Sequence, residues 1–144
     1  MKALGIDFGT KYVGLSISDP DMKIAFPRDK VEFAKAIPYI SKFIKAEDIG
    51  LVVLGKPLNM QGNPTKMSEQ VEIFKKDLQE AGIKAEYQDE RLSSKFIDKS
   101  LQAMNINTRQ RRDVKDALEA TAILQLYLDT VNNRMVNGEN ARND

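Results

Sequence analysis

The 144-residue sequence predicts an α/β domain built on a mixed five-stranded sheet with helices on both faces. Three observations predict it. Two apolar runs joined by Gly9-Thr10-Lys11 open the chain as a hairpin, which makes the first strands antiparallel and disfavours an all-parallel, doubly wound sheet. A continuous apolar run, Leu51-Val52-Val53-Leu54 between Gly50 and Gly55, reads as a strand buried on both sides. Around and beyond it, helical periodicity alternates with strand periodicity.

Taken in order, residues 2–8 and 12–18 form the hairpin strands. Residues 22–31 supply a third strand, and Pro27 confines it to an edge or a bulge. Phe33, Ile37, Ile40 and Ile44 share one helical face through Lys45, with Pro38 either kinking that helix or marking its first turn. The run 50–55 belongs in the sheet centre. Residues 56–66, with Pro57, Asn59, Gly62, Asn63 and Pro64, read as an exposed loop before a helix over 67–81, which Gly82 closes. Residues 83–88 alternate as a half-buried strand that runs into Asp89-Glu90-Arg91. Ser93 or Ser94 caps a helix through about residue 104, residues 105–110 link, and a longer helix runs over 112–131 with Val114, Ala117, Thr121, Leu124, Leu128 and Val131 as its buried stripe. Residues 1–134 make one domain, and 135–144 a polar, flexible tail. No internal repeat is present.

Composition prunes the chemistry. The chain has no cysteine and no histidine, which excludes disulfides, thiolate nucleophiles, imidazole bases and the zinc sites built on either residue. Carboxylates, lysines, tyrosines and hydroxyls remain, and carboxylates favour hard cations such as Mg2+ or Mn2+. A net charge of +1 says nothing about a polyanionic partner, so local clusters must. No apolar run reaches the roughly 18 residues of a membrane span, and no basic, apolar leader opens the chain, so a cytoplasmic protein without a membrane partner is expected.

Asp7 interrupts an apolar strand, where an ionised carboxylate is costly unless a cation or hydrogen-bond donors compensate it. Gly5 and Gly9 leave space for a backbone or a phosphate to approach, and Thr10 and Lys11 offer donors beside it; the plainer reading is an aspartate accepting bonds from its own turn. Asp89 and Glu90 point to opposite faces of their strand. Parity puts Asp89 with the apolar face of Ile83, Ala85 and Tyr87, yet strand ends bend, so periodicity leaves the choice open, and both are equally readable as solvent charges paired with Arg91 or a lysine. Asp113, Asp116 and Glu119 recur at intervals of three on the last helix, and the small Ala117 and Ala120 beside Asp116 let that helix approach the sheet closely. Arg109, Arg111, Arg112 and Lys115 cluster at its start, where cations oppose the helix dipole, so contact with successive phosphates is a better account than a solvated turn.

Four ordered blocks then carry a resemblance: Gly5-Ile6-Asp7-Phe8-Gly9-Thr10-Lys11, Gly55-Lys56-Pro57-Leu58-Asn59-Met60-Gln61-Gly62, Asp89-Glu90-Arg91-Leu92-Ser93, and Lys115-Asp116-Ala117-Leu118-Glu119-Ala120 with Ile123-Leu124-Gln125-Leu126-Tyr127-Leu128. Together, over nearly the whole chain, they resemble the YqgF/RuvX family, which is RNase H-like, related to Holliday junction resolvases and associated with maturation of the 5′ end of 16S ribosomal RNA. The resemblance implies an RNase H-like fold and a metal-dependent nuclease that hydrolyses phosphodiester bonds in precursor 16S ribosomal RNA. It carries the catalytic, metal-binding carboxylates onto Asp7, Glu90 and Asp116, selecting Glu90 over Asp89, and implies Mg2+ or Mn2+. Thr10, Lys11, Arg91, Arg109, Arg111 and Arg112 are the candidate substrate contacts. Lys56, Gln61, Ser94 and Glu119 depart from the family pattern without touching a candidate ligand, and they leave substrate preference open.

Three alternatives stand beside this reading. One is a resolvase that cuts branched, four-way DNA as a homodimer, the chain being readable as either a monomer or a homodimer. The second is a nucleic-acid-binding module without catalysis. The third is an actin-like ATP-binding module, suggested by the Asp7-Phe8-Gly9-Thr10 opening, for which the chain is short.

Overall fold

The computed structural model describes residues 1–59, 61–91, 97 and 118–133. Strands β1 (Lys2–Asp7) and β2 (Tyr12–Ser18) form the expected hairpin, with Leu4 opposite Ile17 and Asp7 opposite Gly14. Strand β3 (Ala25–Glu32) pairs antiparallel with β2 and is an edge strand, and the register slips between Leu15 and Ser16, where β2 passes from Asp29 to Pro27. A proline in that position removes no bond from the sheet interior. The strand begins later than the sequence reading placed it, because a tight turn consumes the residues before it. The Asp19 carboxylate accepts the N–H groups of Lys23 and Ile24, each at 2.8 Å, and Met22 adopts a left-handed φ of 54°. Those backbone bonds also hold the Asp19 carboxyl below its ordinary pKa.

A 3₁₀ turn (Phe33–Lys35) leads into helix α1 (Ala36–Ala46), so Pro38 falls in the first turn, where it costs no hydrogen bond. The buried stripe of α1 is Ala36, Ile40 and Phe43, with Ile37 and Ile44 packed at its margin. Phe33, expected on that stripe, lies off it, since a 3₁₀ turn winds at about 120° per residue rather than 100°. Its ring packs edge-on against Phe8 instead, 5.8 Å away.

Strand β4 (Ile49–Lys56) runs parallel to β1 inside the sheet, and its Val52, Val53 and Leu54 are buried on both faces. Helix α2 (Lys66–Glu80) starts at a reciprocal cap: Thr65 Oγ1 accepts the Ser68 N–H at 3.3 Å and Ser68 Oγ accepts the Thr65 N–H at 2.9 Å. The Ser68 hydroxyl also donates to the Pro57 carbonyl, fastening the helix to the end of β4. Gly82, at φ +83°, ends the helix turn, and strand β5 (Glu86–Asp89) pairs parallel with β4. Ile83 and Ala85 are buried but precede the ladder, so this strand is shorter than its alternation suggests.

The sheet order is β3-β2-β1-β4-β5. One face, with Leu4, Ile6, Val13, Leu15, Val52 and Leu54, packs on α1 and α2. The other face, with Ala3 and Val53, packs on Ile123, Leu124 and Leu128 of a helix over 118–133. Of the stripe expected on that helix, Thr121, Leu124 and Leu128 are buried and Val131 is half-buried. The α/β class, the five-stranded mixed sheet and the helices on both faces are therefore as expected. Apart from Ile97, which is helical and buried, the expected elements over 93–104 and 105–110 lie outside the described residues, as do the start of the last helix, including Val114 and Ala117, and the tail over 135–144. No helix among the described residues is long and apolar enough to cross a membrane.

Candidate functional site

Strands β1, β4 and β5 are mutually parallel, so their C-terminal ends, at Asp7, Lys56 and Asp89, share one edge of the sheet. In open α/β sheets that edge is where ligands are taken. Alternation turns Ala3, Gly5 and Asp7 toward the face under helix 118–133, while Leu4 and Ile6 face α1 and α2. A Cβ built on Gly14 would lie 3.6 Å from the Asp7 Cβ and 3.7 Å from that of Ala120, which places Asp7 beside the helix.

The glycines explain how the helix comes so close. A Cβ on Gly5 would sit 2.7 Å from Leu124 Cβ and 2.9 Å from the Ala120 carbonyl oxygen. The buried Ser16 hydroxyl donates to that same carbonyl at 2.7 Å. The space left by Gly5 is thus taken by the helix backbone rather than by a ligand. Gly9 serves the hairpin, since a side chain there would strike the Tyr12 carbonyl.

Glu90 extends the β4–β5 ladder one residue past β5, its N–H donating to the Lys56 carbonyl at 3.2 Å. Its carboxylate returns over Gly55, where an added Cβ would collide with Oε1 and lie 2.6 Å from Ile123 Cδ1. Leu54 is paired with Ile6, so Gly55 sits beside Asp7 one residue further on. Asp7 and Glu90 therefore flank one glycine, on the face beneath helix 118–133. Burial, and then the negative charges of Glu119 and Asp89, push the Glu90 carboxyl up to about 7.

Asp89 takes the other face and the surface. Its Oδ2 is 2.6 Å from Arg91 Nε, its Oδ1 accepts the Arg91 N–H at 2.9 Å, and the Arg91 guanidinium lies over Gly62 in the loop that follows β4. Parity had placed Asp89 with Ile83, Ala85 and Tyr87, and that is the α1–α2 side; because the sheet is covered on both faces, an inward residue of β5 and a residue facing Asp7 are different residues. Lys11 is exposed in the hairpin turn, where its carbonyl accepts the Phe33 N–H at 2.8 Å. Thr10 lines a cavity with Phe8, Phe33 and Phe74 on the α1–α2 side, away from Glu90. Asp116, Arg109, Arg111 and Arg112 lie outside the described residues, and among the described ones no three carboxylates form a group able to hold a cation. Gly55 is the site feature least visible in the sequence: a glycine that bounds a buried strand also signals close approach of another group.

A family model described as "RuvX: Holliday junction resolvase" matches residues 1–130. A protein of Maridesulfovibrio salexigens named "Putative pre-16S rRNA nuclease" is 37% identical over 132 residues, covering 89% of this chain and 98% of the relative. One of the same name from Natranaerobius thermophilus is 34% identical over 146 residues, covering 97% and 99%. Among solved structures, RuvC of T. thermophilus in complex with a Holliday junction substrate superposes with a TM-score of 0.56 at 13% identity, covering 90% of this chain and 96% of that one. That likeness establishes the RNase H-like fold, and the match along residues 1–130 establishes the lineage: the chain belongs to the RuvX family.

Proposed function

We propose that the chain is a divalent-metal-dependent nuclease that hydrolyses phosphodiester bonds in the 5′-end maturation of precursor 16S ribosomal RNA, with Asp7, Glu90 and Asp116 as its catalytic carboxylates. The observation that carries this reading is Glu90: a mostly buried carboxyl, seated over Gly55 beside Asp7, facing the charges of Glu119 and Asp89 and held near 7. Such a group is fully ionised at neutral pH only when positive charge is supplied to it. An all-oxygen donor set in a chain without histidine or cysteine fits Mg2+ or Mn2+, held by Asp7 and Glu90 with Asp116. Bound there, the cation would acidify an attacking water and offset charge on the departing oxygen.

The protein's own residues supply the rest. Gly55 gives the Glu90 carboxylate its seat, where Glu90 would hold a cation in its ionised form. Helix 118–133 covers the inner side of the site. In the sequence, Asp116 stands four residues before Ala120, the spacing of neighbours on one helical face. Lys11 and Arg91, the latter oriented by Asp89, bind phosphates flanking the reacting one, with Arg109, Arg111 and Arg112 extending the track. The names of the relatives support precursor ribosomal RNA as substrate, and with it a cytoplasmic place of work. The description of the matching family favours a second reading, cleavage of four-way DNA by a homodimer that presents two sites.

The test is to incubate purified protein with Mg2+ or Mn2+ and end-labelled precursor ribosomal RNA leader, single-stranded RNA and a four-way DNA junction, beside folded Asp7→Asn, Glu90→Gln and Asp116→Asn variants. RNA cleavage that disappears in all three variants is expected. Junction cleavage by a dimer would replace this reading with the second, and binding without cleavage would refute catalysis by the chain alone.

A further inference from the structure

We propose that the aromatic cleft beside the hairpin turn is a nucleobase pocket, which takes one unstacked base from the strand whose phosphate lies at Asp7. The proposal rests on the nuclease reading above. Three rings from three separate elements converge there: Phe8 after β1, Phe33 in the 3₁₀ turn and Phe74 in α2. Their centroids lie 5.8 Å (Phe8–Phe33), 5.2 Å (Phe8–Phe74) and 6.1 Å (Phe33–Phe74) apart. Phe74 is buried, whereas Phe33 is 42% and Ile73 60% exposed, so the cleft presents apolar surface to solvent that the core does not need.

Size and rim favour a base over a protein partner. The cavity holds about 220 Å³, below the roughly 300–1,000 Å³ of pockets that enclose drug-sized ligands, and suits one flat ring system. The lining is chiefly apolar, as the faces of a base require, and Thr10, Gln70 and Asp77 stand among it with a hydroxyl, an amide and a carboxylate for a base edge. Stacking on an aromatic face is how unpaired bases are held, and it is tolerant of sequence.

Position connects the cleft to the carboxylates. Asp7 and Phe8 are consecutive, about 3.8 Å apart at Cα, and they face opposite sides of the sheet. A strand crossing the end of β1 therefore meets carboxylates on one side and rings on the other. The exposed Lys11 belongs to the same turn and offers a cation to the sugar-phosphate chain, and the bond from the Phe33 N–H to the Lys11 carbonyl ties the 3₁₀ turn to the hairpin turn.

The test uses the full chain in EDTA, so that nothing is cleaved, with single-stranded RNA oligonucleotides carrying 2-aminopurine or an abasic site at successive positions. One position is expected to be quenched on binding. Phe33→Ala is expected to abolish that quench and weaken binding roughly tenfold, the scale of one lost base–aromatic stack, while Phe33→Tyr keeps both. An abasic site at the quenched position should weaken wild type equally and add nothing to Phe33→Ala. RNA binding that is indifferent to Phe33→Ala and to every abasic position would overturn the pocket and leave the nuclease reading standing. Failure of the wild-type protein to bind RNA at all in EDTA would overturn the pocket, while the cleavage assay in Mg2+ or Mn2+ decides the nuclease reading separately. If Phe33→Ala instead abolished self-association in sedimentation without changing RNA affinity, the cleft would be a protein surface and the proposal refuted.

Discussion

Replacing Glu90 by glutamine should stabilise the metal-free protein, and by an amount that depends on pH. The Glu90 carboxyl is held near 7 in the folded chain against an ordinary 4.5, mainly because burial disfavours its charge and then because Glu119 and Asp89 repel it. Below about pH 4.5 the group is protonated in both folded and unfolded chains, and its titration contributes no difference. As pH rises toward 7 the unfolded chain releases the proton and the folded chain retains it, so stability falls. Above 7 both are ionised and the folded chain bears the full cost, about 3 kcal/mol at roughly 1.4 kcal/mol per pH unit. Set against a typical stability of about 5–15 kcal/mol, that is a large share.

Glutamine keeps the shape and removes the charge. In urea titrations in EDTA, Glu90→Gln and wild type should unfold together near pH 4.5, and at pH 8 the variant should unfold about 1.5 M later, taking a slope near 2 kcal/mol/M. Glu119→Gln removes the larger of the two repelling charges and should shrink the gap. Saturating Mg2+ should narrow it from the other side, raising wild type and not the variant, because a ligand that binds only the folded form stabilises only that form. Coincident midpoints at pH 8, or a wild type that gains on the variant as pH rises in EDTA, would refute the claim that this carboxyl is buried against its charge.

Gly55→Ala places a methyl against the Glu90 carboxylate and 2.6 Å from Ile123 Cδ1; a loss of about 1–3 kcal/mol is expected, with weaker Mg2+ binding by calorimetry, and an unchanged urea midpoint would contradict the close approach. Ser16→Ala leaves the Ala120 carbonyl without its buried donor, which should cost about 1–2 kcal/mol in thermal unfolding. Thr65→Ala removes the cap of α2 and should cost about 1 kcal/mol, with RNA cleavage per folded molecule unaffected. Asp89→Asn breaks an ion pair that is about one-third exposed on each side and also lifts the weaker of the two repulsions on Glu90, so stability should move by less than about 1 kcal/mol while RNA affinity falls if Arg91 loses its orientation.

Most of the sheet was legible because its signals are local. The hairpin turn, the glycine-bounded strand and the proline on an edge each depend on a few adjacent residues, and β1, β2 and β4 fall within a residue or two of where those signals put them. The third strand started late because Asp19 competes for backbone N–H groups across a turn, which apolar patterning does not register. Phe33 left its helical stripe for a similar reason, a 3₁₀ turn whose period differs from the one assumed. The placement of Glu90 was beyond periodicity altogether. Alternation gives the faces of a strand but not which face carries the site, and here both faces are covered, so the apolar side of β5 points away from Asp7.

Gly5, Gly14, Ser16 and Gly55 show why the second face holds the carboxylates. On the α1–α2 side the sheet offers leucine, isoleucine and valine, whose bulk keeps helices at ordinary packing distance. On the other side, β1 and β2 offer glycine and serine at the very positions where Ala120 and Leu124 land, so that helix settles against the backbone of the sheet. Glu119 rides on that helix, next to the alanine that makes the contact, and its charge reaches Glu90. Small residues upstream therefore set how closely acidic groups on separate elements gather at the strand ends. The same closeness raises the Glu90 pKa and makes the metal-free fold less stable at neutral pH. A helix seated further out would relieve that repulsion and, with it, loosen the grip on any cation. Gly5→Ala is expected to do both, lowering stability through the clash with Ala120 and Leu124 while moving the Glu90 titration toward its ordinary range. The clash costs the same at every pH, whereas the relieved Glu90 titration flattens the fall in stability as pH rises, so urea midpoints measured from pH 5 to 8 separate them.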